Sequence, residues 1–85
     1  MYWIYIIKSK KYNQLYVGMA NNLPKRLKEH NSGQSKHTNR YKPWTYVYVE
    51  GYLTRQDAAQ REKNLKYHGK VYAQLKRRLK LNTNT

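Results

Sequence analysis

Ten tyrosines and no phenylalanine in a chain of 85 residues decide how this protein must build its interior. The remaining apolar side chains are too few to fill a core alone, so tyrosine rings have to be drawn into it. The length suits one small domain and leaves no room for a second core. Residues 1–81 are therefore expected to form one unit, with 82–85 as a disordered tail. The chain has no cysteine, which removes disulfides, thiolate zinc sites and thiol nucleophiles and fits a reducing, cytoplasmic setting. No apolar run approaches the roughly 18 residues of a membrane span, and no secretory signal pattern stands at the N-terminus.

Charge is the first functional clue. Eighteen Lys and Arg against four acidic residues give a net charge of +14. Such a surface points to a polyanion, with nucleic acid the leading partner. An acidic membrane surface is the competing reading, and only the C-terminal segment has the basic amphipathic character it needs. The carboxylates are Glu29, Glu50, Asp57 and Glu62. Two-metal phosphodiesterases use clustered carboxylates, so four scattered ones favour a one-metal site over a two-metal site.

Residues 2–8 are β-branched and aromatic without a breaker and read as a strand; 14–19 reads as a second, and 45–53 as a third. A two-residue turn at Lys10-Lys11 would join the first two as a hairpin, with Tyr5 opposite Tyr16 on one face. Gly18 would leave a shallow space there for a phosphate, and Gly51 would mark a bulge or bend. Asn21-Asn22-Leu23-Pro24 opens a helix that runs to about Asn31. Thr54 to Asp57 resembles a capping box opening a second helix, which Gly69 ends, and Val71, Leu75 and Leu79 predict a third over about 70–80. The order β-β-α-β-α-α implies an α+β fold, a three-stranded and mainly antiparallel sheet flanked by three helices.

Helical spacing sorts the polar residues. His30 shares the face of Leu23 and Leu27, and Arg26 sits on its edge, while Glu29 points away to solvent. His30 is a half-buried structural histidine or a functional one, and Arg26 a solvated rim charge or a functional one. Glu62 lies between Ala58 and Leu65 on the inner face of the second helix. A carboxylate there needs a metal or a cation, and Arg26 is a candidate for that cation. Asp57 is explained by capping, and the role of Glu50 stays open.

Taken together these residues resemble the GIY-YIG nuclease family. Trp3-Ile4-Tyr5 stands at the first motif, with Trp3 in place of its glycine, and Tyr16-Val17-Gly18 matches the second. Arg26 and His30 follow at the spacing of the family's R-x-x-x-H helix, and Glu62 stands on the helix that carries its glutamate. Lys42-Pro43-Trp44 is similar to the short, stand-alone branch of the family. The resemblance covers residues 2 to about 70. The family's late asparagine has no assigned equivalent, Asn64 and Asn82 both being poor matches.

The resemblance implies a metal-dependent endonuclease that hydrolyses DNA phosphodiester bonds, structure-selective in repair or recombination. A single Mg²⁺ or Mn²⁺ would bind Glu62. Arg26 would neutralise charge on the phosphate, Tyr5 would act as base with Tyr16 as its partner, and His30 would position a tyrosine or relay its proton. Lys36, Arg40 and Lys42 of the long loop 32–44 would clamp phosphates, with Tyr41 or Trp44 stacking an unpaired base. Lys76, Arg77 and Arg78 form a second basic cluster, beside Lys80, that either contacts nucleic acid or is a solvated helix face. With no further DNA-binding domain, target choice would fall to a protein partner. The alternative is a non-catalytic nucleic-acid-binding module on the same fold, RNA included.

Overall fold

The first strand sorts the rest of the molecule into two halves. In the computed structural model, which describes residues 1–81, β1 (Tyr2–Ser9) lies between β2 (Leu15–Ala20) and β3 (Trp44–Tyr52), antiparallel to both. A strand covered on both faces needs an unbroken apolar run, and Ile4, Tyr5, Ile6 and Ile7 are all fully buried. Successive side chains leave by opposite faces. Ile4 and Ile6 join Leu15, Val17, Ala58, Leu65 and Leu75 in one core. Tyr5 and Ile7 join Trp44 in the other, ringed by Tyr16, Leu23, Leu27 and Tyr46. The first core is covered by α2 (Arg55–Tyr67) and α3 (Gly69–Arg78), the second by α1 (Leu23–Asn31). This is an α+β fold of order β-β-α-β-α-α.

The helix ends follow local chemistry. The Asn22 side chain accepts from the Lys25 amide, and Pro24 sits in the first turn of α1, where its missing N–H costs nothing. Beyond the last turn, Gly33 takes a φ of +85°, a conformation that glycine adopts freely. The Thr54 hydroxyl caps α2 by accepting from the Asp57 amide.

Three local expectations are corrected. The β1–β2 turn is not the tight Lys10-Lys11 pair: the buried Ser9 hydroxyl accepts from the Lys11 and Tyr12 amides, which widens the turn to residues 10–13. Tyr5 therefore pairs with Gly18, and Tyr16 with Ile7. A slip of two residues preserves face parity, so both tyrosines keep the same side. The irregularity in β3 lies opposite Ile6 and Ile7, not at Gly51, which pairs regularly with Trp3 beneath its ring. Gly69 starts α3, and the break after α2 is made at His68. The expected tail, 82–85, and with it Asn82, lies outside the described residues. Among the described residues no helix is long and apolar enough to cross a membrane.

Candidate active site

His30 is the one histidine that α1 turns fully inward, and its ring is wholly buried. Both ring nitrogens then need partners, and both have one. Nε2 lies 2.8 Å from the Tyr5 hydroxyl, and Nδ1 lies 2.7 Å from the Thr38 hydroxyl. Arg26, one turn earlier, donates from Nε to the same Tyr5 oxygen at 3.2 Å and from Nη1 to Glu29 Oε1 at 3.0 Å.

Proton positions follow from these contacts. A guanidinium can only donate, so the Tyr5 oxygen accepts from Arg26 and gives its own proton to His30 Nε2. The His30 proton is then on Nδ1, facing Thr38. Electrostatics agree. Burial pushes the Tyr5 phenol up to about 12, with the Arg26 hydrogen bond and charge opposing. Burial, then the Arg26 charge, lowers His30 to about 4. At neutral pH the chain is Arg⁺, phenol, neutral imidazole, hydroxyl.

Tyr16 joins this network to α2. Its ring packs edge-on to His30 at 5.4 Å between centroids, and Lys66 Nζ sits 5.2 Å from the ring centroid. Lys66 is one turn beyond Glu62 and pairs with its Oε2 at 3.2 Å. The sequence therefore brings Tyr5, Tyr16, Arg26, His30 and the Glu62–Lys66 pair into one continuous set across β1, β2, α1 and α2. Tyr5 is fully buried, whereas Tyr16 on the edge strand is half-buried and can be reached from solvent.

Comparison with known families places the chain as a whole. The model of the GIY-YIG catalytic domain matches residues 1–76. The chain belongs to the GIY-YIG family. Its membership makes it a nuclease-type domain. It is 39% identical to a UPF0213 protein of Staphylococcus saprophyticus over 76% of this chain and 79% of the relative. It is 40% identical to a UPF0213 protein of Clostridium perfringens over 78% and 71%, and 36% identical to the UPF0213 protein YazA of Bacillus subtilis over 72% and 62%. No solved structure matches the chain.

Other expected residues of this GIY-YIG domain fall in different places. The space beside Gly18 is not open to a phosphate, because the Tyr5 ring lies across it and a Cβ there would overlap the phenol. Trp44 is 2% exposed and donates from its indole to the Thr38 carbonyl at 2.8 Å, so it is not available to stack a base. Lys36, Arg40 and Lys42 are exposed on the loop above the α1 face, and Tyr41 is half-buried there. Lys76, Arg77 and Arg78 are on α3, across the sheet from His30. Glu29 is half-buried and held by Arg26 rather than solvated, and Arg26 therefore does not pair with Glu62. Glu50 is a structural anchor: it accepts from Tyr48 at 2.6 Å, Tyr52 at 2.9 Å and Arg61 at 2.5 Å. These donors hold its carboxyl below the usual range, against the opposing effect of burial.

Thr38 is the participant the sequence did not disclose. It is fully buried inside a polar loop, gives His30 Nδ1 its partner through its hydroxyl and receives the Trp44 indole at its carbonyl. A lone threonine in such a stretch has no periodic signal.

Proposed function

We propose that this GIY-YIG domain is a divalent-metal-dependent endonuclease that hydrolyses DNA phosphodiester bonds, with structure-selective work in repair or recombination as its setting. The observation that carries the reading is the position of Tyr16. Its ring touches the His30 relay on one side and the lysine of the Glu62 pair on the other. A phosphate brought to that ring would meet a fixed guanidinium and a carboxylate together.

The residues fit a one-metal site. Glu62 is only partly exposed, and its cation partner is a flexible lysine that can be displaced. Among the described residues no three His, Asp or Glu side chains gather. One carboxylate with water and phosphate oxygens is a shell that Mg²⁺ or Mn²⁺ accepts. When bound, the ion supplies Lewis-acid polarisation of the phosphate and charge for the leaving oxygen.

The chain's own groups do the rest. Two of the five N–H donors of Arg26 are engaged by Tyr5 and Glu29, which fixes the guanidinium plane and leaves donors for phosphate oxygens. Tyr5, buried and protonated at neutral pH, acts as a positioning residue for Arg26, and its place argues for Tyr16 as the tyrosine that orients the attacking water. His30 and Thr38 hold Tyr5 in that state. A second reading, a binding module without turnover, is favoured by the basic loop alone and does not need Glu62.

Nicking of supercoiled plasmid at low salt separates the two. Wild type and Glu62→Ala are compared with Mg²⁺, Mn²⁺ or EDTA. The nuclease reading expects metal-dependent nicking by wild type and none by the variant, with DNA binding retained by both. Binding without nicking in either protein, on plasmid and on branched substrates alike, supports the module.

A further inference from the structure

The hairpin tip meets the long loop. The Lys10 amide donates to the Pro43 carbonyl at 2.9 Å. Tyr12 packs edge-on to Tyr41 at 5.5 Å, and the Arg40 guanidinium lies 5.5 Å from the Tyr41 ring centroid. Tyr12 is 52% exposed, a large ring left in solvent at a turn. It is not loosely held. Its amide is fixed by the buried Ser9 hydroxyl at 3.0 Å. Arg40 lies against the Tyr41 ring, and Lys10, Lys11 and Lys42, neighbours in the chain, are exposed. Neither residues 1–28 nor residues 30–49 contain an acidic side chain.

We propose that Tyr12 and Tyr41 form a stacking platform for an unpaired DNA base beside the duplex that the active site would cut. The inference rests on the nuclease reading and adds a substrate class to it: duplex carrying a single-stranded arm. The chemistry is that of other single-strand binders. A rigid ring offers a π face that any base can use, and flanking cations hold the adjoining phosphates. Tyr41 connects the platform to the catalytic half. It packs against the cluster of Tyr5, Ile7 and Trp44, three residues from the Thr38 that partners His30. An apolar protein partner is disfavoured because Arg40 lies against the rings and the flanking sequence adds exposed lysines and no acid.

The test is binding of two DNA probes of equal duplex length, one blunt and one with a short single-stranded arm that contains 2-aminopurine. Wild type, Tyr12→Ala, Tyr12→Phe and the exposed helix variant Tyr67→Ala are compared. The proposal expects wild type to favour the armed probe and to quench its 2-aminopurine fluorescence. Tyr12→Ala should lose about tenfold on the armed probe, the scale of one base–aromatic stack, with the quenching gone. Its loss on blunt duplex should be far smaller. Tyr12→Phe should restore both signals, and Tyr67→Ala should match wild type. Equal affinity of wild type for the two probes, or equal losses on both in Tyr12→Ala, overturns the platform while the nuclease reading stands on the nicking result. Failure of wild type to bind either probe overturns both.

Discussion

The two faces of the sheet each carry a cluster of tyrosines around a charged group, and they are built for opposite ends. On the α2/α3 face, Glu50 is saturated by two phenols and a guanidinium. Both oxygens of that carboxylate are taken up inside the protein. On the α1 face, Arg26 has donors to spare, and Glu62, reached around the β2 edge, is held only by a lysine on a flexible stem. The same residue types close the hydrogen-bond count around Glu50 and leave donors free at Arg26.

The sharpest way to break this comparison is to remove a charge from each side. Arg26→Ala or Glu62→Ala should lower plasmid nicking by about a hundredfold or more, while the melting temperature moves little. Glu50→Ala should do the reverse. It strands Arg61 and two phenols and should cost about 2–3 kcal/mol in urea unfolding, with the folded fraction still nicking DNA. A Glu50 variant that folds as well as wild type but has lost turnover would show that the two faces are not separable.

Thr38→Val removes the partner of His30 Nδ1 without changing shape and should cost about 1–2 kcal/mol. Imidazole nitrogen shifts should report a population of the Nε2–H form, in which Tyr5 can no longer donate to the ring. A purely structural threonine would change stability and leave those shifts alone.

Acid tests the relay from a third direction. His30 is lowered to about 4 by burial and the Arg26 charge, so between that value and its ordinary 6.5 the unfolded chain binds the proton that the native one refuses. The stability it contributes is complete above about pH 6.5 and is lost as the pH falls toward 4. Urea midpoints across that window should fall with pH in wild type and flatten in His30→Gln. Glu50, held below its usual range, adds its own loss at lower pH still. The smallest effect is expected from Lys66→Met. Freeing Glu62 from an exposed pair should lower the metal concentration for half-maximal nicking by about twofold to fivefold. An increase would mean that the lysine helps to hold the site together.

Much of this was legible because alternation and helical period are robust to small errors. Tyr5 and Tyr16 share a face whether the turn has two residues or four, since the slip was even. His30 and Glu62 were placed inward by spacing alone. What escaped was side-chain chemistry acting at a distance. Ser9 widened the turn by accepting two amides, a role that a serine before two lysines does not announce. Glu29 points outward on an ideal wheel, but an arginine one turn earlier draws it in. Trp44 read as a free stacking ring because its burial depends on a carbonyl six residues back. Thr38 needs the folded loop before it has any meaning at all.

The clasp on that loop has a practical side. The Asn31 side chain behaves like a neighbouring strand toward Trp44, accepting from its amide at 2.5 Å and donating to its carbonyl at 3.1 Å. The loop is thus fastened at its far end twice, by Asn31 and by the Thr38–Trp44 link. Exposed residues such as Gln34 and Lys36 lie between Asn31 and Thr38, inside the ring that the Asn31–Trp44 clasp closes, so an inserted tag or sensor peptide there would lengthen that ring at a small entropic cost. The same insertion between Thr38 and Trp44 would pull apart the buckle itself. For protein engineering, a chain of this size therefore offers a ready splice point within a few residues of the His30–Thr38 contact.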